Sequence, residues 1–166
     1  MKLSRVKLRR ATLPDDARAD LDLFPGERVL AIGRSPDEGW VVATGLALVS
    51  ADGRTPWTDV AHAQWYDGES VLAIEQVPGA GAARRIHLAE PGRVPETVHE
   101  RVMASIVLSR RVPLSTGGSV RIVARRADQT SDTVWQVVPE AGTDLTAAGV
   151  QEAADEAVAA LAAELG

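Results

Sequence analysis

The chain has 166 residues, a formal net charge of −5, 45% hydrophobic and 25% charged residues, and no cysteine. These proportions are those of an ordinary globular protein, long enough to bury a core without disulfides or metal. The missing cysteine removes disulfides, thiolate nucleophiles and zinc–thiolate sites together, and the acidic balance excludes general nucleic-acid binding, which needs a basic footprint.

Basic residues crowd the start, at Lys2, Arg5, Lys7, Arg9 and Arg10, but no apolar stretch follows of the kind a secretory signal needs. The longest apolar run, Trp40–Val49, has strand length, well short of the roughly 20 residues of a membrane span. A cytoplasmic location is the expectation, with the membrane periphery as a variant of it. Lysine occurs only at positions 2 and 7, and alanine and valine abound. That usage suggests a high-GC, actinobacterial genome.

In chain order, residues 11–16 can open a short helix, with Thr12 as a cap and Pro14 near the first turn. Leu21, Leu23 and Phe24 are then available to pack on the domain, and Pro25–Gly26 is a turn. Residues 28–34 read as a first strand, closed by a loop over 35–39. Residues 40–44 and 46–50 read as two strands or one long bent strand meeting at Thr44–Gly45. Asp52–Gly53 is a second turn. A short strand over 54–57, another over 59–66, and a clear one over 71–77 follow. A glycine-containing turn at 79–81 leads to the strand 84–88. Short strands separated by glycine turns describe an antiparallel meander.

The period then changes. Val94, Val98, Val102 and Ile106 recur every four residues, with Pro95 suited to a first helical turn and Glu96 to its dipole. This predicts a helix from Pro95 to Ser109 whose apolar stripe buries against a sheet. Beyond it, residues 119–126 alternate as a strand, residues 128–132 turn, and residues 133–138 form its partner. Asp144 is placed to cap a helix over 145–165, with Val150, Ala154, Val158, Leu161 and Leu165 on one face.

Charge is divided unevenly. Six arginines (101, 110, 111, 121, 125, 126) fall between Pro95 and Asp128 against Glu96, Glu100 and Asp128. Seven acids and no base follow Gln129. Two parts of one fold neutralising each other explain this better than a tail reserved for a partner.

Residues Glu27–Ala31, the hairpin Trp40–Val49 with a threonine at its bend, and Pro56–Val60, followed by a short strand and a helix, resemble bacterial pleckstrin-homology-like domains. The resemblance covers residues 25–110, about half the chain. It implies two near-orthogonal antiparallel sheets closed at one end by the helix Pro95–Ser109, and a binding or assembly role in place of catalysis. Gly45, Leu46 and Ala47 stand where such domains often carry a basic residue just after the bend, which argues against an anionic-lipid site at this hairpin.

Few residues are arranged for chemistry. His62, His87 and His99 have no partner at metal-ligand spacing beyond the neighbour pair His99–Glu100. Residues 115–119 are glycine-rich but lack the lysine and the following helix of a phosphate cradle; they read as a linker or hairpin lead. Asp52, Asp59, Asp67, Glu69 and Glu75 are scattered through turns and strand edges. No catalytic residue, metal or cofactor is assigned. Two binding features remain. Trp65 and Tyr66, if exposed, would anchor a partner peptide or a membrane interface. The doublets Arg84–Arg85, Arg110–Arg111 and Arg125–Arg126 could converge into a basic patch for an acidic peptide, a phosphorylated segment or an anionic headgroup. The competing reading is ion pairs with the acidic last helix at Glu152, Asp155, Glu156 and Glu164.

The expected architecture is α+β: an N-terminal segment (1–24), a pleckstrin-homology-like antiparallel β-barrel or sandwich capped by a helix (25–112), and an appended strand–strand–helix unit (117–166). The expected function is a non-catalytic binding or scaffolding module of a bacterial cytoplasm. A protein is the leading partner and anionic lipid the second. The alternative is a small-ligand binder or enzyme using a cleft between the two units. The alanine-rich last helix also offers a stripe for homo-oligomerisation.

Overall fold

The chain from Thr12 to Pro25 lies across the outside of the first sheet, and a computed structural model describes it together with the rest of residues 12–128 and 131–166. The basic stretch from Lys2 to Arg10 and residues 129 and 130 of the expected turn lie outside the described residues. Helix α1 (Asp15–Ala19) starts after Pro14 with Asp15 and Asp16 in its first turn, where the dipole favours acids. Leu13, Ala17 and Leu21, with Leu23 beside them, form a second small core against Val42, Ala47 and Val49. Phe24 departs from expectation: half its surface is exposed, and the Arg54 guanidinium lies over its ring at 3.8 Å.

The first sheet runs in chain order through β1 (Val29–Ser35), β2 (Gly39–Thr44), β3 (Ala47–Ser50) and β4 (Gly53–Pro56), all antiparallel. Its central strands are covered on both faces, which is why they read as an apolar run without alternation. Val41, Ala43 and Leu48 turn inward, while Val42, Ala47 and Val49 meet the α1 segment. Trp40–Ser50 is thus two strands. Thr44 makes the bend, its Oγ1 accepting the Leu46 and Ala47 N–H groups at 3.1 and 3.0 Å.

One 3-10 turn, Trp57–Asp59, carries the chain into the second sheet: β5 (Val60–Tyr66), β6 (Val71–Gln76) and β7 (Arg84–His87), in that order. The register of β5 slips between Val60 and His62, so Ala61 is a bulge. Past β7, Arg34 and Glu90 exchange backbone hydrogen bonds at 2.8 and 3.2 Å, stitching β1 to the segment that leaves the second sheet. Gly92 permits this approach, since a Cβ there would stand 2.4 Å from the Ile32 carbonyl.

Helix α2 (Val94–Ser105) follows, with Pro95 in its first turn. Val94, Val98 and Val102 enter the space between the two sheets and share one core with Leu48, Trp57, Leu72, Ile74 and Ile86. Among the described residues no sheet closes into a barrel; four strands and three strands enclose this core with the helix.

The helix ends four residues earlier than its stripe predicts. Residues Ile106–Pro113 are strand β8, which opens a third antiparallel sheet of order β10-β9-β8, with β9 (Ser119–Arg125) and β10 (Val134–Pro139). The appended unit therefore has three strands, not two, and begins at Ile106. The stop is imposed from β9. The Arg126 N–H donates to the Ser105 carbonyl at 2.9 Å, and the Arg125 guanidinium reaches the Val102 carbonyl and Ser105 Oγ at 3.4 and 3.3 Å. α2 has no basic residue in its last turn, so Arg125 supplies the charge that suits its negative end.

The last helix, α3, spans Val150–Leu165 and starts five residues later than expected. Asp144 Oδ1 accepts the Thr146 N–H and hydroxyl in a tight turn instead of capping a helix, and Gly149 at φ +77° precedes the first turn. Val150, Val158 and Leu161 pack on Val120 and Ile122, giving the third sheet its own core.

Candidate functional site

β5 is an edge strand: it pairs with β6 alone. Every second residue of such a strand turns its N–H and C=O away from its partner. Beside this edge, α2 and β5 leave a groove of about 430 Å³ whose wall includes Ala63, Trp65, Pro95 and His99 and whose rim carries Glu96 and Glu100. The alternation of the strand sets the chemistry. Ala63 and Trp65 face the core side, while Gln64 and Tyr66 are exposed; Gln64 joins Ala63 and Trp65 in the lining of the groove. The Trp65 indole N–H is held by Asp67 Oδ1 at 3.3 Å, which fixes the ring.

Tyr66 therefore stands apart from Trp65. It is 38% exposed, its hydroxyl donates to Gln64 at 3.3 Å, and the Arg85 guanidinium sits 5.6 Å from its ring centre. The adjacent aromatic pair forms two surfaces. α2 contributes Pro95, Glu96, His99 and Glu100, which sequence reasoning did not assign to a site. Their three-to-four spacing on the polar side of a predicted helix was the available signal.

The arginine doublets do not form one patch. Arg84 donates to Glu38 at 2.9 Å and to Thr55 and Ser50, bracing the second sheet against the first. Arg85 pairs with Glu69 at 3.0 Å. Arg110 reaches Glu164 of α3 at 2.8 Å, and Arg111, with Arg121, holds Glu140. Arg126 donates to Thr133 at 2.6 Å. Arg125 is 3% exposed and gives its Nη2 to the carbonyl of the bulged Ala61 at 3.1 Å. Its Nε has no partner among the described residues, and burial pushes its pKa down. Neighbours on a strand point to opposite faces, so a doublet there splits.

A second polar cluster is structural. Glu27 is buried and accepts both guanidinium nitrogens of Arg54 at 2.8 and 2.6 Å, the Thr44 hydroxyl at 2.5 Å and the Phe24 N–H at 2.9 Å. Burial alone would raise its pKa; the hydrogen bonds from Arg54, Thr44 and Phe24 together bring it below the usual glutamate value. Trp57 adds an indole N–H to the Thr44 carbonyl at 3.0 Å. The cluster ties the N-terminal segment to the bend of the first hairpin.

Among the described residues no three histidine or acidic side chains gather as a metal site, and no helix is long and apolar enough to cross a membrane. Compared with protein-family models, curated proteins and solved structures, the chain matches none.

Proposed function

We propose that the chain is a non-catalytic binding module of pleckstrin-homology-like type, which holds an extended segment of a protein partner along β5 in the groove against α2. The observation that carries this reading is Trp65: a half-buried indole, fixed by Asp67, on an edge strand and in the wall of a groove. Strand addition supplies main-chain hydrogen bonds, and alternate side chains of the added strand find pockets. A held aromatic is the usual energetic anchor of such a contact. The acidic rim, Glu96 and Glu100, suits a segment with an apolar residue beside basic ones. Two sheets of four and three strands sharing a core with the following helix support the family reading of residues 25–110. A bacterial cytoplasm is the proposed compartment.

The alternative, a ligand cleft between the two units, is less well supported, because Arg125 fills that junction. Self-association through α3 is also weaker, since its apolar stripe is spent on the third sheet.

The test is a photo-crosslinking amino acid at Gln64, on the exposed side of the β5 edge, with Gln151 on α3 as the control position. A discrete adduct at Gln64 that disappears with Glu96→Lys/Glu100→Lys supports the reading. Equal labelling at both positions, or none at Gln64, removes it.

A further inference from the structure

A larger groove, of about 1000 Å³, follows residues 29–32 of β1, ahead of the Arg34–Glu90 pairing, between α1 and α2, and shares only Glu100 with the Trp65 groove. Four arginines line it from three places in the sequence: Arg18 on α1, Arg28 just before β1, and Arg93 just before α2 with Arg101 on it. Among the described residues none of the four has an ion pair, a side-chain hydrogen bond or an aromatic ring as partner. Every other described arginine has one. Arg54, Arg84, Arg85, Arg110, Arg111 and Arg121 hold carboxylates, Arg34 lies 4.3 Å from the Trp40 ring centre, and Arg125 and Arg126 have the acceptors given above. The unpartnered guanidiniums are therefore gathered in one groove and not scattered.

Folding gains little from this arrangement: Arg18 suits the negative end of α1, but that helix has only five residues and the arginine is exposed. Arg93 directly precedes the first turn of α2, where the helix dipole is already positive. Glu27 lines the groove, but Arg54 already neutralises it. Glu100 at the rim is the remaining carboxylate of the lining. Guanidinium forks match phosphate oxygens two at a time, and like charges brought together favour an anion that can reach several of them.

We infer that this groove binds a soluble anion carrying two or more phosphate groups. Asp15, Asp16, Asp20 and Asp22 are exposed on and just after α1, the helix that brings Arg18 to the groove. Acids so near one wall weigh against a broad anionic surface more than against a compact anion. The inference is independent of the Trp65 groove, and its failure leaves that reading standing.

The experiment is calorimetric titration of the full chain with inorganic tripolyphosphate at fixed ionic strength, with sulfate as the matched control. Saturable binding is expected, weakened roughly tenfold by Arg28→Gln and further by Arg28→Gln/Arg101→Gln. Arg85→Gln, outside the groove, binds as the parent does. Neither groove arginine makes a side-chain hydrogen bond, ion pair or ring contact among the described residues, so circular dichroism of these variants should match the parent. Absence of binding, equal binding of sulfate, or unchanged affinity in the double variant overturns the proposal. Binding to phosphatidylserine vesicles without binding to tripolyphosphate overturns it too and assigns the surface to a bilayer.

Discussion

Arg125 in β9 donates to the carbonyl of Ala61, the bulged residue of β5, across the junction of the two units. The bulge turns one carbonyl out of the β5–β6 ladder, and a side chain 64 residues away in sequence satisfies it. The same guanidinium closes the end of α2. One side chain thus terminates a helix, satisfies a bulge and fixes the third sheet to the main core.

Arg125→Met tests that relationship. Removing a desolvated charge is favourable by itself. The Val102 carbonyl keeps the Ser105 hydroxyl as donor at 2.7 Å, but the Ala61 carbonyl and Ser105 Oγ lose a donor, and an orphaned buried acceptor costs about 1–3 kcal/mol. The acceptors win, and a net loss of about 2 kcal/mol is expected in urea unfolding. Two separated transitions would show that the guanidinium also couples the units. An unchanged midpoint would show that it holds nothing.

Glu27→Gln leaves Arg54 without its counter-charge in a mostly buried place, so a loss of about 3 kcal/mol is expected. The pH dependence has a definite sign. The folded carboxyl has a lowered pKa, so the unfolded chain takes up its proton first as pH falls. The stabilisation is complete above the ordinary glutamate range and is lost as pH drops through the folded value. Asp59 works the other way, because burial raises its pKa. The gap between parent and Glu27→Gln stability curves isolates the first effect, and it should narrow on acidification. A gap that stays constant with pH would contradict the assignment.

Gly92→Ala should cost more than Gly26→Ala. Both glycines have positive φ, +52° and +75°, so both substitutions carry backbone strain of about 1 kcal/mol. A methyl group at Gly26 meets nothing within 4 Å, whereas at Gly92 it meets the Ile32 carbonyl at 2.4 Å. Thermal melts of the two variants should differ by several degrees. Equal melting points would mean that the β1 crossing yields freely.

Leu161→Ala removes a buried side chain from the contact between α3 and the third sheet, where Val120 and Ile122 are its neighbours. A loss of about 2–4 kcal/mol is expected. Trp135 belongs to that core, so its fluorescence should shift at lower denaturant than in the parent, while the far core around Trp57 is affected less. A shift confined to the main core would refute the separate-core description.

The strands of the first two sheets were legible because local signals agreed: short apolar runs of strand length at 40–49 and 71–74, and the glycine turns between them. The end of α2 was not legible. Ile106 continues the four-residue stripe of Val94, Val98 and Val102, no glycine or proline intervenes, and the groups that stop the helix lie at positions 125 and 126. The start of α3 was misread because Asp144 serves a turn as readily as a helix, although Gly149 marked the break. The doublets misled because sequence neighbours on a strand diverge. The arginines of the β1 groove are single residues at 18, 28, 93 and 101, and only the fold makes neighbours of them.

The layer that residues 13–23 lay over the first sheet has a practical consequence. Cutting the chain at residue 25, where the resemblance begins, would strip the outer faces of β2 and β3 and leave Val42, Ala47 and Val49 in water. Apolar strand faces laid bare in that way adhere to one another. The smallest piece that can be expected to stay soluble therefore starts before Leu13, and fragments trimmed to the resembling region should be found in inclusion bodies whatever the quality of their inner core.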